Sequence, residues 1–101
     1  KAILPINAEQ AKNLVFKVRE AIPQHLVCVV GSTANEKPLL SIMFSDDVVS
    51  EHSLNAGQII REAAKFIQGG GGGQPHYASA GGKNLDGLSV AVDKAVELAC
   101  Q

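Results

Sequence analysis

Aromatic residues make up only 4% of this 101-residue chain, and tryptophan is absent. A core without large rings must be built from aliphatic side chains. Cysteine is scarce too: Cys28 and Cys100 stand far apart, in neither a metal-type nor a redox-type spacing. A disulfide scaffold is excluded, and a reducing cytoplasm is the expected compartment. Cys28, inside Leu26-Val27-Cys28-Val29-Val30, reads as a small buried hydrophobe. No apolar run approaches the roughly 18 residues of a membrane span, so no membrane partner is expected. No signal peptide is visible. The only methionine is Met43 and the chain opens on Lys1. The natural start is therefore expected upstream, in a longer protein of which this is a piece. The net charge of −1 gives no polyelectrolyte footprint overall.

Apolar residues make up 46% and charged residues 19%, which is globular rather than disordered. The length supports one domain, residues 1–101. Ala2 to Ile6 is a short apolar segment whose Pro5 suits an edge strand. Asn7-x-x-Gln10 is a capping-box variant opening a helix over 8–22, with Ala11, Leu14, Val15, Val18 and Ile22 at helical spacing. Pro23 stops it. Leu26 to Val30 predicts a buried strand, residues 31–37 a polar turn, and Leu39 to Phe44 a second strand. Asp46, Asp47 and Glu51 fall in the connection that follows. Asn55-x-x-Gln58 repeats the helix-start signature, and Ile59, Ile60, Ala63, Ala64 and Ile67 carry a helix to Gln68. His76 to Ala80 is a short extended piece. Asn84 caps a last helix with Leu85, Leu88, Val92, Ala95 and Ala99 on one seam. The fold class is α/β: a small mixed β-sheet flanked by helices, in which the first strand–helix–strand unit is a crossover.

Between the second predicted helix and the last extended piece lie five consecutive glycines, Gly69 to Gly73. The bland reading of such a run is a flexible linker. Here only 19 residues follow Gly82, so the run is not expected to link two self-contained domains within this sequence. The expectation is a Gly-rich loop over 69–73 that turns its backbone N–H groups outward together, a concavity suited to anions and phosphate above all. The charge distribution agrees in sign. Arg61, Lys65 and Lys83 against Glu62 make residues 61–83 the only net positive segment. Arg61 and Lys65, four apart, share one exposed helix face leading into the glycines.

Catalytic patterns fail one by one. A Walker loop needs Gly-Lys-Ser/Thr after a strand, whereas Gly82-Lys83-Asn84 lacks the hydroxyl and the glycines follow a helix. A homopolymeric run matches the dinucleotide fingerprint trivially. His25, His52 and His76 are too scattered for zinc. Asp46 and Asp47 read as solvated acids, and Cys28 sits mid-strand without a nearby base. A binding module is the better class.

Leu54-x-Ala56-Gly57 opens a helix. Then come Gly69, the string Gly71-Gly72-Gly73-x-Pro75-x-x-Ala78-x-x-Gly81-Gly82 and a closing helix. This pattern resembles the C-terminal domain of alanyl-tRNA synthetases, one of the DHH-associated domains. The match is most specific over residues 54–101. The resemblance implies a domain that holds the elbow of alanine-specific tRNA and helps the aminoacylation and editing domains of the parent ligase work on one tRNA. It implies a contribution to dimerisation, and no cofactor in this piece. ATP and magnesium would belong to the parent's catalytic domain and zinc to its editing domain. The implied RNA-contacting residues are Arg61, Lys65, Gly69, Gly70, Gly71, Gly72, Gly73, Gln74, His76, Tyr77 and Lys83. One common form of the motif carries Lys at the position of Gly70, Arg at that of Gln74 and Asp at that of His76. Two cations are thus absent here. Two other readings stay open: the substrate-binding lobe of a DHH-type phosphoesterase acting on nucleotides or short oligonucleotides, and a dimerisation module built on the seam of the last helix.

Overall fold

Asn7 starts the first helix as its chemistry dictates. Its Oδ1 accepts the Gln10 N–H at 2.8 Å, and its own N–H donates to Gln10 Oε1 at 3.0 Å. Both halves of a capping box are therefore closed. Asn7→Ala is expected to cost about 1 kcal/mol of stability, read as a lowered denaturant midpoint with unchanged slope.

The computed structural model describes residues 2–33 and 36–99. In chain order these form β1 (Ala2–Leu4), α1 (Ala8–Ala21), β2 (Val27–Ser32), β3 (Leu39–Phe44), α2 (Asp46–His52), α3 (Ala56–Ala64), β4 (Gly70–Gly73), β5 (Tyr77–Gly81) and α4 (Leu88–Ala99). Short 3₁₀ turns precede β4 (Lys65–Ile67) and α4 (Leu85–Gly87). The strands make one sheet in the order β1-β2-β3-β5-β4. β1 and β2 are parallel across the α1 crossover, and every other neighbouring pair is antiparallel. The mixed sheet and flanking helices are those expected. Pro5 follows β1, which is an edge strand.

Alternation along β2 and β3 divides the apolar residues between two faces. Val30 and Met43 pack with Val15 of α1 on one face. Val29, Leu40, Ile42 and Phe44 pack with α3 and α4 on the other. Leu40, Ile42 and Phe44 are fully buried, and burying each side chain is worth about 1.5–3 kcal/mol. With few rings, alanine fills the closest contacts: Ala63, Ala64, Ala78, Ala91 and Ala95 are all buried.

Four expectations are corrected. β2 runs through Gly31 and Ser32 because β1 pairs there, Ile3 opposite Gly31 and Leu4 opposite Ser32. The predicted turn over 31–37 therefore begins later, and its residues 34 and 35 lie outside the described chain, as does Cys100. The acids after β3 are not a bare connection. Asp46 and Asp47 occupy the first turn of α2, where carboxylates favour the helix dipole. Asp46 also pairs with Arg19 at 2.8 Å, and Asp47 Oδ2 accepts the His25 N–H at 2.9 Å. Asn84 flanks a 3₁₀ turn without a side-chain cap and instead donates from Nδ2 to the Phe66 carbonyl at 3.3 Å. Finally, the α4 seam is spent inside the domain. Leu88, Val92, Ala95 and Ala99 are buried in the core against the sheet, leaving no free zipper face.

Candidate nucleic-acid interface

The glycines do not form a loop. Gly70–Gly73 are a strand, β4, paired antiparallel to β5 with Gly71 opposite Ala80 and Gly73 opposite Ala78. No described glycine has positive φ. Successive amides of an extended strand point opposite ways, so the expected concave cluster of N–H groups is not made. The physical reason is visible in what a Cβ would meet. At Gly69, Gly71 and Gly73 it would overlap the carbonyl oxygens of Gly81, Ser79 and Tyr77 in turn. β4 lies too close to β5 for any side chain at alternate positions. Backbone pairing there, with α3 packed on the same strands, offsets the entropy lost in ordering glycine.

The other two strand glycines have different surroundings. A Cβ on Gly70 would have nothing within 4 Å, and one on Gly72 would have only the Nε and Nη2 of Arg61, at 3.9 Å. The fold leaves these two positions open. β4 ends the sheet, so its outer row of N–H and C=O groups is unpaired. The Arg61 guanidinium, projecting from α3, lies 3.9 Å from where a Gly72 Cβ would stand.

Helix α3 is held against the hairpin at its start. Asn55 Oδ1 accepts the Gln58 N–H at 3.2 Å, and the Ala56 N–H donates to the Pro75 carbonyl at 2.9 Å. Gly57 lets the helix approach: a Cβ there would lie 3.1 Å from the Gly73 carbonyl oxygen. Asn55, Gly57, Gly73 and Pro75 thus hold the helix that carries Arg61 close against β4. At the far end of the hairpin, the N–H groups of Lys83 and Asn84 both donate to the Ile67 carbonyl at 2.8 Å. This fixes the bend after β5 that carries exposed Lys83.

The predicted residues spread along one edge of roughly 13 Å, at about 3.3 Å per strand residue. Gly69, Gly70 and Lys83 meet at one end, where they line a groove of about 860 Å³. Gly72 and Arg61 lie along the edge. Exposed Gln74 and half-buried His76 belong to the turn at the other end, where the His76 carbonyl accepts the Phe44 N–H at 2.7 Å. Two residues stand apart. Lys65 is engaged by Glu62 at 3.1 Å. The Tyr77 ring packs on Phe16 of α1, with centroids 5.0 Å apart, so its ring belongs to the sheet–α1 cluster. Sequence reasoning missed Ser32, Lys37 and the α1 N-terminus, which line the same groove as Lys83. No local signal joins residues so distant in sequence. Cys28 carries no chemistry here: burial pushes its thiol up, away from the reactive thiolate.

The fold is a small α/β domain whose edge strand carries no side chains and has a cation, Arg61, close by. A model of the DHHA1 domain family matches residues 2–101. The chain belongs to that family. It is 52% identical over 99 residues to the alanine–tRNA ligase of Bacteroides thetaiotaomicron, covering 98% of this chain and 11% of that protein. It is 40% identical over 98 residues to the alanine–tRNA ligase of Cytophaga hutchinsonii, covering 97% and 11%. Its structure is similar to the crystal structure of the C-Ala domain from Aquifex aeolicus alanyl-tRNA synthetase. That match has a TM-score of 0.83 at 28% identity, covering all of this chain and 88% of that one. The chain spans about a tenth of the length of the curated relatives it matches. Among the described residues, no helix is long and apolar enough to cross a membrane.

Proposed function

We propose that this domain binds tRNA through the outer edge of β4, as the C-terminal domain of an alanine–tRNA ligase. It would hold the tRNA elbow so that aminoacylation and editing domains elsewhere in the protein act on one molecule. The observation that carries this reading is Gly72. The fold requires glycine at 69, 71 and 73 and does not require it at 72. Glycine weakens a strand interior, so its presence at an open position marks close approach by another backbone. Arg61 beside it makes an anionic backbone the fitting partner, since guanidinium pairs with phosphate in forked geometry. The open space at Gly70 also accommodates the lysine that the common family form carries there. That the relatives above are ligases supports the synthetase reading over the phosphoesterase lobe. In the whole protein, ATP, magnesium and zinc belong to the other domains, and the compartment is the cytoplasm. Dimerisation, if this domain contributes to it, uses a surface other than the buried α4 seam.

The test is tRNA binding by fluorescence anisotropy over a salt series. Arg61→Ala is expected to lower affinity about tenfold, as for a charge-assisted contact of roughly 1.5 kcal/mol. Lys83→Ala should weaken binding mildly and reduce the salt slope by about 0.7–0.9. A minihelix lacking the D loop should bind more weakly than intact tRNA. Salt-independent binding, or equal affinity for both RNAs, would sink the proposal.

A further inference from the structure

The groove at the end of the sheet holds more than the glycine edge needs. One wall is free of side chains, made by Gly69, Gly70, Gly81 and Gly82. The rest of the lining comes from the start of α1, the end of β2 and the segment entering β3, which pairs with Gly81 and Gly82. Three features give this groove a sign. Helix α1, 14 residues long, opens into it through Asn7 and Ala8. The capping box satisfies the Gln10 N–H, while Ala8 and Glu9 precede the first intrahelical donor, Ala11. Their amides are the positive end of the helix. Lys37 and Lys83 flank the Gly82–Pro38 hydrogen bond on adjacent segments of the lining, both exposed, and among the described residues neither is paired with a carboxylate. Glu36 is the single acid in the lining.

The second, independent observation is Ser32. It lines the groove, its residue is 1% exposed, and its Oγ has no hydrogen-bond partner. An unpartnered buried hydroxyl costs stability, and most buried polar groups in folded proteins are satisfied. Ile6, Pro38 and Leu39 add an apolar surface next to Ser32. A cationic rim, a helix N-terminus and a waiting hydroxyl select an anion that accepts hydrogen bonds. The adjacent apolar surface suits the sugar or base attached to it, and about 860 Å³ is within the range of small-ligand sites, roughly 300–1,000 Å³.

We propose that this groove is a second RNA subsite, receiving one nucleotide whose phosphate lies between Lys37, Lys83 and the α1 N-terminus, with Ser32 as a hydrogen-bonding partner. The inference rests on the RNA reading above and extends it from the β4 edge across the end of the sheet. It adds residues from the first 40 of the chain to the contact surface.

The experiment measures tRNA binding by the 101-residue chain and its Ser32→Ala, Lys37→Ala and Arg61→Ala variants over a salt series, with thermal unfolding alongside. Lys37→Ala is expected to weaken binding several-fold and to lower the salt slope by about 0.7–0.9. Ser32→Ala is expected to weaken binding about fivefold while leaving the melting temperature unchanged or raised, because it removes an unpartnered hydroxyl. A hydroxyl with a merely structural role would give the opposite pair of results. If Ser32→Ala lowers the melting temperature, Lys37→Ala decides. Wild-type affinity and slope in both variants, with Arg61→Ala impaired, would overturn the groove and leave the β4 edge standing. Loss of binding in none of the variants, or no binding by the wild type, would overturn both. Inorganic phosphate replacing chloride at matched ionic strength distinguishes the source. If phosphate raises the melting temperature through Lys37 while Lys37→Ala leaves tRNA affinity unchanged, the groove serves a free anion and the proposal fails.

Discussion

Gly71→Ala is expected to lower stability by about 3 kcal/mol or more, while Gly70→Ala, one residue earlier in the same strand, is expected to leave it unchanged or raise it. At Gly71 the new methyl would overlap the Ser79 carbonyl oxygen and crowd Cα and Cβ of Ala80. Those atoms belong to a paired backbone, not to the far end of a flexible side chain, so relief requires β4 to part from β5. That parting breaks the pairing of Gly71 with Ala80 and strips α3 of the strand beneath it. Overpacking alone typically costs about 1–3 kcal/mol, and the lost pairing adds to it. In a domain of this size the melting temperature should fall roughly 10–20 °C. At Gly70 there is no atom within 4 Å and no positive φ. Alanine there acts chiefly by restricting the unfolded chain, a gain of about 0.4–1 kcal/mol. Equal melting temperatures for the two variants would show that β4 does not approach β5 as described.

This alternation explains why the glycine strand was not legible in the sequence. Strand assignment rests on a period of two in side-chain character, and five glycines have no side chains to alternate. The alternation exists only in the tertiary contacts, as crowding at 69, 71 and 73 and space at 70 and 72. Where side chains carried the signal, the reading held. Asn7 and Asn55 both accept the predicted N–H three residues on. The 3.6-residue spacing of Ile59, Ile60, Ala63 and Ala64 marks the buried face of α3. α2 was hidden because seven residues are too few for a hydrophobic period, although Ser45 followed by Asp46 and Asp47 is a helix-start composition. The motif around the glycines points along the chain to the same edge that the structure leaves open at Gly70 and Gly72. It could not reveal the rest of the groove's lining, because Ser32 and Lys37 join Lys83 only through the β2–β3 and β3–β5 pairings.

Gly72→Val is expected to lower tRNA affinity roughly a hundredfold without lowering the melting temperature. The two halves of this prediction have separate causes. A Cβ at this position meets only Arg61, at 3.9 Å, and a β-branched residue suits an edge strand, so the fold accepts it. Two branched methyls on the open side, however, would hold an RNA backbone away from the unpaired amides of β4 and from the guanidinium. Losing one or two hydrogen bonds to a charged group, at about 1.5–3 kcal/mol each, gives the stated factor. The decisive measurement is therefore the affinity of Gly72→Val for tRNA at several salt concentrations, with its unfolding curve beside that of the wild type. The glycine edge as the RNA-binding surface predicts an intact unfolding transition and binding reduced at every salt concentration. Wild-type affinity in a fully folded Gly72→Val protein would contradict it.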